Sequence, residues 1–166
     1  MATKASFTPE EWDQLLRSAV LAGMAVAAAE PSGVWGLIKE SLAAGDALAE
    51  ARADTGANRL VGAVAADLAT AEGQTTARDG LRANLAGSEA SDVKGRTITE
   101  LRLVAALLDA KAPEDAPAFK AWLLRIAERV AEASKEGGFL GFGGVQVSEA
   151  EKSTLAEISA ALNVPA

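Results

Sequence analysis

Apolar and polar positions alternate with a helical period along nearly the whole chain. Trp12, Leu15, Leu16, Ala19, Gly23 and Val26 fall on one face of a helix from Pro9 to about Ala29. Its start carries a full signal: Thr8 as cap, Pro9 at the first helical position, Glu11 to close a capping box, and Phe7 and Trp12 placed for a hydrophobic staple. Ala19, Gly23 and Ala27 form a small-residue stripe that lets another helix approach closely. Asp13 and Arg17 are spaced as a surface ion pair.

After a break at Glu30-Pro31-Ser32-Gly33, the positions Trp35, Ile38, Leu42, Gly45 and Ala49 predict a second helix from about Gly33 to Arg52, antiparallel to the first. A third, from about Ala57 to Thr70, turns Leu60, Val61, Val64, Ala65 and Leu68 inward. Asp67 lies beside that face, where a buried carboxylate needs a partner. Residues 71–92 hold few large apolar side chains and read as the least ordered segment, a weak helix from Thr75 to Leu85 and then a polar loop. The helix from about Asp92 to Lys111 places Ile98, Leu101, Val104, Ala105 and Leu108 on one side and Leu103 and Leu107 on another. A helix apolar on most sides is expected near the centre. Within it, Arg102 either reaches solvent along its stem or pairs with an acid such as Asp67.

Glu114 and Asp115 then precede a helix to about Lys135, whose dipole favours acids at its start. Phe119, Trp122, Leu123, Ile126 and Val130 point inward, and Lys120, Arg125, Glu128, Arg129 and Glu132 form a solvated outer face. A second capping box, Ser148 with Glu151, opens the last helix, Glu149 to Leu162, which buries Leu155, Ile158 and Leu162. The expected fold is all-α: one helical bundle of about six or seven helices spanning residues 1–166, with an N-terminal tail over residues 1–7. A Gly/Phe-rich loop precedes the last helix.

Composition narrows the chemistry. The chain of 166 residues is 49% apolar, enough for a core, and much of that fraction is alanine. It contains no histidine, cysteine or tyrosine, which excludes thiol and histidine-based catalysis, disulfides and the usual zinc sites. The net charge of −7 opposes nucleic acid and anionic membrane surfaces. The most apolar run, Ser18 to Ala29, is too short to span a bilayer, and the N-terminus lacks the apolar core of a signal peptide. A cytoplasmic protein is expected, and the heavy alanine usage suggests a GC-rich bacterial genome.

The long break in this helical pattern is GGFLGFGGVQVSEAE, from Gly137 to Glu151. One reading has Phe139, Leu140 and Phe142 tucked into the bundle while the glycines allow the turns. Another makes these three side chains an exposed tip that docks a partner or a second copy of the chain. A third makes Gly143, Gly144 and Ser148 an anion nest at a helix N-terminus. The loop lacks the lysine and hydroxyl pattern of a phosphate-binding loop, and Glu149 and Glu151 repel an anion.

The segment GGVQVSEAEKSTLAEISAAL resembles the turn-plus-helix segment of TerB-like tellurite-resistance domains, over residues 143–162. The resemblance implies an all-α fold. In that family an acidic Asp-Gly precedes the helix start, and aspartates bind a metal. Here Gly143 and Gly144 stand where the acid would be, which leaves that metal site without its acid. The whole chain also resembles small uncharacterised all-α bacterial proteins with an equivalent glycine-phenylalanine loop, a likeness that implies no activity.

The function these observations favour is non-enzymatic: an interaction, assembly or stress-associated accessory protein, with a protein partner or a homodimer. The alternatives are a module for a small apolar or anionic ligand and a carboxylate-dependent metal protein drawing on Glu40, Asp67 and Asp109. No catalytic residue, metal ligand set or cofactor is assigned, and no nucleic acid or membrane span is expected.

Overall fold

The computed structural model describes residues 1–29, 45, 49, 58–87, 90–135 and 148–165. These residues form a 3-10 turn at Lys4–Ser6 and the helices α1 (Pro9–Ala27), α2 (Arg59–Leu68), α3 (Ala71–Leu85), α4 (Ala90–Lys111), α5 (Ala116–Lys135) and α6 (Glu149–Leu162). No strand occurs among the described residues, and the helices pack on one another as an all-α bundle. The expected second helix lies largely outside the described residues. Gly45 and Ala49, which belong to it, are helical and exposed, not on an inward stripe.

The axis of the bundle is α1. It packs against α3, α4 and α5 and also touches α2 and α6. Trp12, Leu15, Leu16, Leu21 and Val26 are buried on it, and so are Ala19, Ala22, Gly23 and Ala25 between them. Small side chains keep the α1 surface thin, so several helices can reach it at once. Gly23 is the closest approach: a Cβ there would stand 3.3 Å from Val130 Cγ2 on α5. The stripe expected from Ala19 and Gly23 thus has α5 as its partner.

The 92–111 helix packs on several helices, but it is open on one side where an apolar surface nearly all round led to the expectation of a central helix. Ile98, Leu101, Val104, Ala105 and Leu108 of α4 are buried against α1 and α6, but Leu103 is 52% exposed and Arg102 is exposed as well. On the second side of α4, Leu107 is partly buried against the core while Leu103 faces outward.

Two charge assignments also change. Arg17 pairs with Glu100 of α4 at 3.4 Å rather than with Asp13, because α1 and α4 lie side by side. Lys120 is buried instead of solvated, and its ammonium bonds both oxygens of Asp109 at 2.7 Å. The α4–α5 connection folds the end of α4 over the start of α5, so the carboxylate compensates the buried cation.

The caps follow the local sequence. Thr8 and Glu11 form the reciprocal box at α1, and Ser148 and Glu151 form it at α6. Asn163 ends α6 in the left-handed conformation, with φ at 55°, and its N–H returns to the Ala160 carbonyl. Asn58 opens α2 by accepting from the N–H groups of Leu60 and Val61. Its amide donates in turn to Asp115 Oδ1 at 2.6 Å, while Ala2 N–H donates to Asp115 Oδ2 at 2.6 Å. One buried carboxylate therefore joins the N-terminal segment, the start of α2 and the start of α5.

Candidate functional site

The described residues form a cleft where the N-terminal segment crosses α1, α2 and α3. Its geometry begins with the staple. Pro9 fixes the entry into α1, Phe7 is buried, and the Phe7 and Trp12 rings meet at 6.0 Å with a 46° tilt. The 3-10 turn at Lys4–Ser6 then carries Lys4 back over Trp12, its Nζ 5.5 Å from the ring centroid. A cation at that distance from an indole face is attracted by the ring quadrupole.

Asp67 forms the opposite wall from the last turn of α2. Its position is fixed by the joint between α2 and α3. The Thr70 hydroxyl donates to the Asp67 carbonyl at 2.7 Å and accepts from Gly73 N–H at 3.0 Å, capping α3. Gly73 lets α3 turn directly against this carbonyl, since a Cβ at Gly73 would lie 2.1 Å from the Asp67 oxygen. Helix α3 accordingly starts at Ala71, earlier than the Thr75 start expected from hydrophobic pattern.

Asp67 Oδ2 accepts two hydrogen bonds, from Trp12 Nε1 at 2.7 Å and from Lys4 Nζ at 2.7 Å. Lys4 holds the Asp67 carboxyl below its usual value of 3.8; partial burial opposes this and the Trp12 N–H adds to it. The Lys4 ammonium is pushed above its usual 10.5, first by the Asp67 hydrogen bond, against slight desolvation, and then by the negative charges of Asp67, Glu72 and Asp13. Lys4 remains 64% exposed and Asp67 30% exposed, so the pair sits at the mouth of the cleft. About 310 Å³ of open volume remains beside it, lined by Phe7, Trp12, Leu16 and the three acids.

In the free protein this arrangement holds the Lys4 ammonium. A carboxylate with a lowered pKa and two donors on one oxygen is a weak general base. The Phe7 and Trp12 rings line the cleft, and among the described residues Lys4 is the one positive side chain that does.

The residues singled out in the sequence fare differently. Phe139, Leu140, Phe142, Gly143 and Gly144 lie outside the described residues, as does Glu40. Ser148 is described: its hydroxyl accepts from Glu151 N–H, and its own N–H donates to Glu151 Oε2 at 2.8 Å. The chain's own carboxylate thereby occupies this donor. Asp109 is engaged with Lys120, and Asp67 with Lys4 and Trp12. No group of three or more acids among the described residues could hold a metal ion.

Lys4 was not legible as a site residue. Two signals pointed toward its partners: an acid beside an apolar face needs a donor, and a buried indole N–H needs an acceptor. Taken together they pair Asp67 with Trp12, and the staple then brings the N-terminal segment over both.

Compared with known protein families, curated proteins and solved structures, the chain matches none. No helix among the described residues is long and apolar enough to cross a membrane.

Proposed function

We propose that this chain is a non-enzymatic interaction protein that engages a protein partner through the Trp12–Asp67 cleft. The observation that carries the reading is the shape of that cleft. Pockets for small molecules occupy about 300–1,000 Å³ and enclose most of the ligand. Here about 310 Å³ lies beside a mouth formed by exposed Lys4 and half-buried Asp67. That is room for an inserted side chain whose remainder stays outside, the geometry of a partner's anchor residue.

The net charge of −7 favours a protein partner over nucleic acid or an anionic membrane. The reading places the protein in the bacterial cytoplasm as an assembly or stress-associated accessory component. A second copy of the chain is a candidate partner, with Phe139, Leu140 and Phe142 as a further docking segment.

Native mass spectrometry of the gently purified, untagged protein tests this. The expected result is a whole-number multiple of the chain mass, or the chain with a second polypeptide in fixed ratio. A chain carrying a stoichiometric small molecule overturns the reading in favour of a ligand carrier. Replacing Phe139 and Phe142 by serine then asks whether assembly is lost while the helices stay folded.

A further inference from the structure

We infer that the Trp12–Asp67 cleft is a receptor for a lysine side chain presented by the partner, and that Lys4 is its resident occupant in the free protein. The inference rests on the interaction reading above and names the chemistry of the recognised group.

The free protein already contains the complex in miniature. The Lys4 ammonium lies 2.7 Å from Asp67 Oδ2 and 5.5 Å from the Trp12 centroid, a carboxylate and a π face converging on one cation. Trp12 Nε1 bonds the same oxygen at 2.7 Å, so the indole orients the carboxylate that receives the ammonium. Asp13 and Glu72 line the same cleft and add negative charge. An anionic ligand would meet three carboxylates there.

Lysine fits better than arginine. Both donors converge on Oδ2, which suits a compact ammonium; a guanidinium binds a carboxylate best through both oxygens at once.

The occupant is exchangeable. Lys4 is 64% exposed, and an exposed ion pair contributes little to stability. The open volume beside it, about 310 Å³, is far more than a single water molecule needs. An incoming lysine has space to enter while Lys4 swings into solvent. Competition of this strength weakens partner binding by no more than about fivefold, because it only lowers the fraction of protein with a free site.

The test uses the indole N–H signal of Trp12 in the purified protein, identified by its loss in Trp12→Phe. The probe is an acetylated, amidated Gly-Gly-Lys-Gly-Gly peptide, with its Nζ-acetyl-lysine counterpart as control. The lysine peptide is expected to shift the Trp12 signal saturably, and the acetylated peptide to leave it unmoved. Lys4→Met should tighten binding by up to about fivefold. Asp67→Asn, which keeps an acceptor for Trp12, should abolish the response with the fold retained by circular dichroism. Equal shifts from both peptides, or no tightening in folded Lys4→Met, overturn the lysine assignment. If the native mass spectrum still contains a polypeptide partner, the interaction reading survives that failure; if it contains none, both fall.

Discussion

Gly73, at the joint between α2 and α3, and Gly95, within α4, are lone glycines in helices with opposite roles. A Cβ on Gly73 would stand 2.1 Å from the Asp67 carbonyl oxygen and 2.6 Å from its carbon. These are backbone atoms held by the Thr70 cap, so the contact cannot be relieved by rotating a side chain. Gly95, exposed on α4, has nothing within 4 Å of a Cβ. Gly73→Ala is expected to destabilise the protein by about 1–3 kcal/mol, as overpacking does. Gly95→Ala is expected to stabilise it by about 0.5–1 kcal/mol, through helix propensity alone. Urea denaturation of the two variants checks both signs. The sequence could not separate them, since each is a lone glycine in a helical stretch, and only the path of the neighbouring backbone assigns the difference.

Between elements, the α1–α5 contact is set by the absence of side-chain volume. Gly23 faces Val130 Cγ2 at 3.3 Å and Ile126 Cγ2 at 4.0 Å from its virtual Cβ. An added methyl needs a shift of a few tenths of an ångström, and a branched side chain needs the helices to part. Gly23→Val is expected to cost about 1–3 kcal/mol. Val130→Ala in the same protein should recover part of that loss, giving an interaction energy of about 0.5–3 kcal/mol in a double-mutant cycle measured by chemical denaturation. Additive losses would mean that the two positions do not press on each other. The small-residue stripe itself was legible in the 3.6-residue pattern. Its partner was not, because a stripe of alanine and glycine accepts any helix that arrives.

For the whole molecule, ion pairs join segments far apart in the chain, and their titration sets the pH window of the N-terminal region. The carboxyls of Asp67 and Glu11 are held below their usual 3.8 and 4.5 by Lys4 and Lys111 respectively. Their contribution is complete above those values and is lost as pH falls through the lowered folded ones. The Lys4 ammonium is raised above 10.5, so its contribution is complete below that value and is lost as pH rises through the raised one. The difference in urea midpoint between wild type and Lys4→Met should therefore be constant from about pH 5 to about pH 10 and close at both ends. Lys4 is exposed and Asp67 only half-buried, so the corresponding difference in unfolding free energy should stay under about 1 kcal/mol. A difference that persists at pH 2 would mean that the Lys4 chain acts by packing and not by charge.

By itself, the sequence determined which residues form helices and where several begin. The Thr8–Glu11 and Ser148–Glu151 boxes and the buried run Leu60, Val61, Val64, Ala65 and Leu68 are settled within a few turns of chain, by hydrogen bonds and periodicity that each segment carries alone. Tertiary structure decided that α1 is the axis, that Lys120 is buried on Asp109, and that Lys4, Trp12 and Asp67 share one cleft. The physical reason is range. A charged group in an amphipathic pattern is written the same way whether it faces water or a distant partner. The choice is made only when packing of small residues brings remote segments within hydrogen-bond distance.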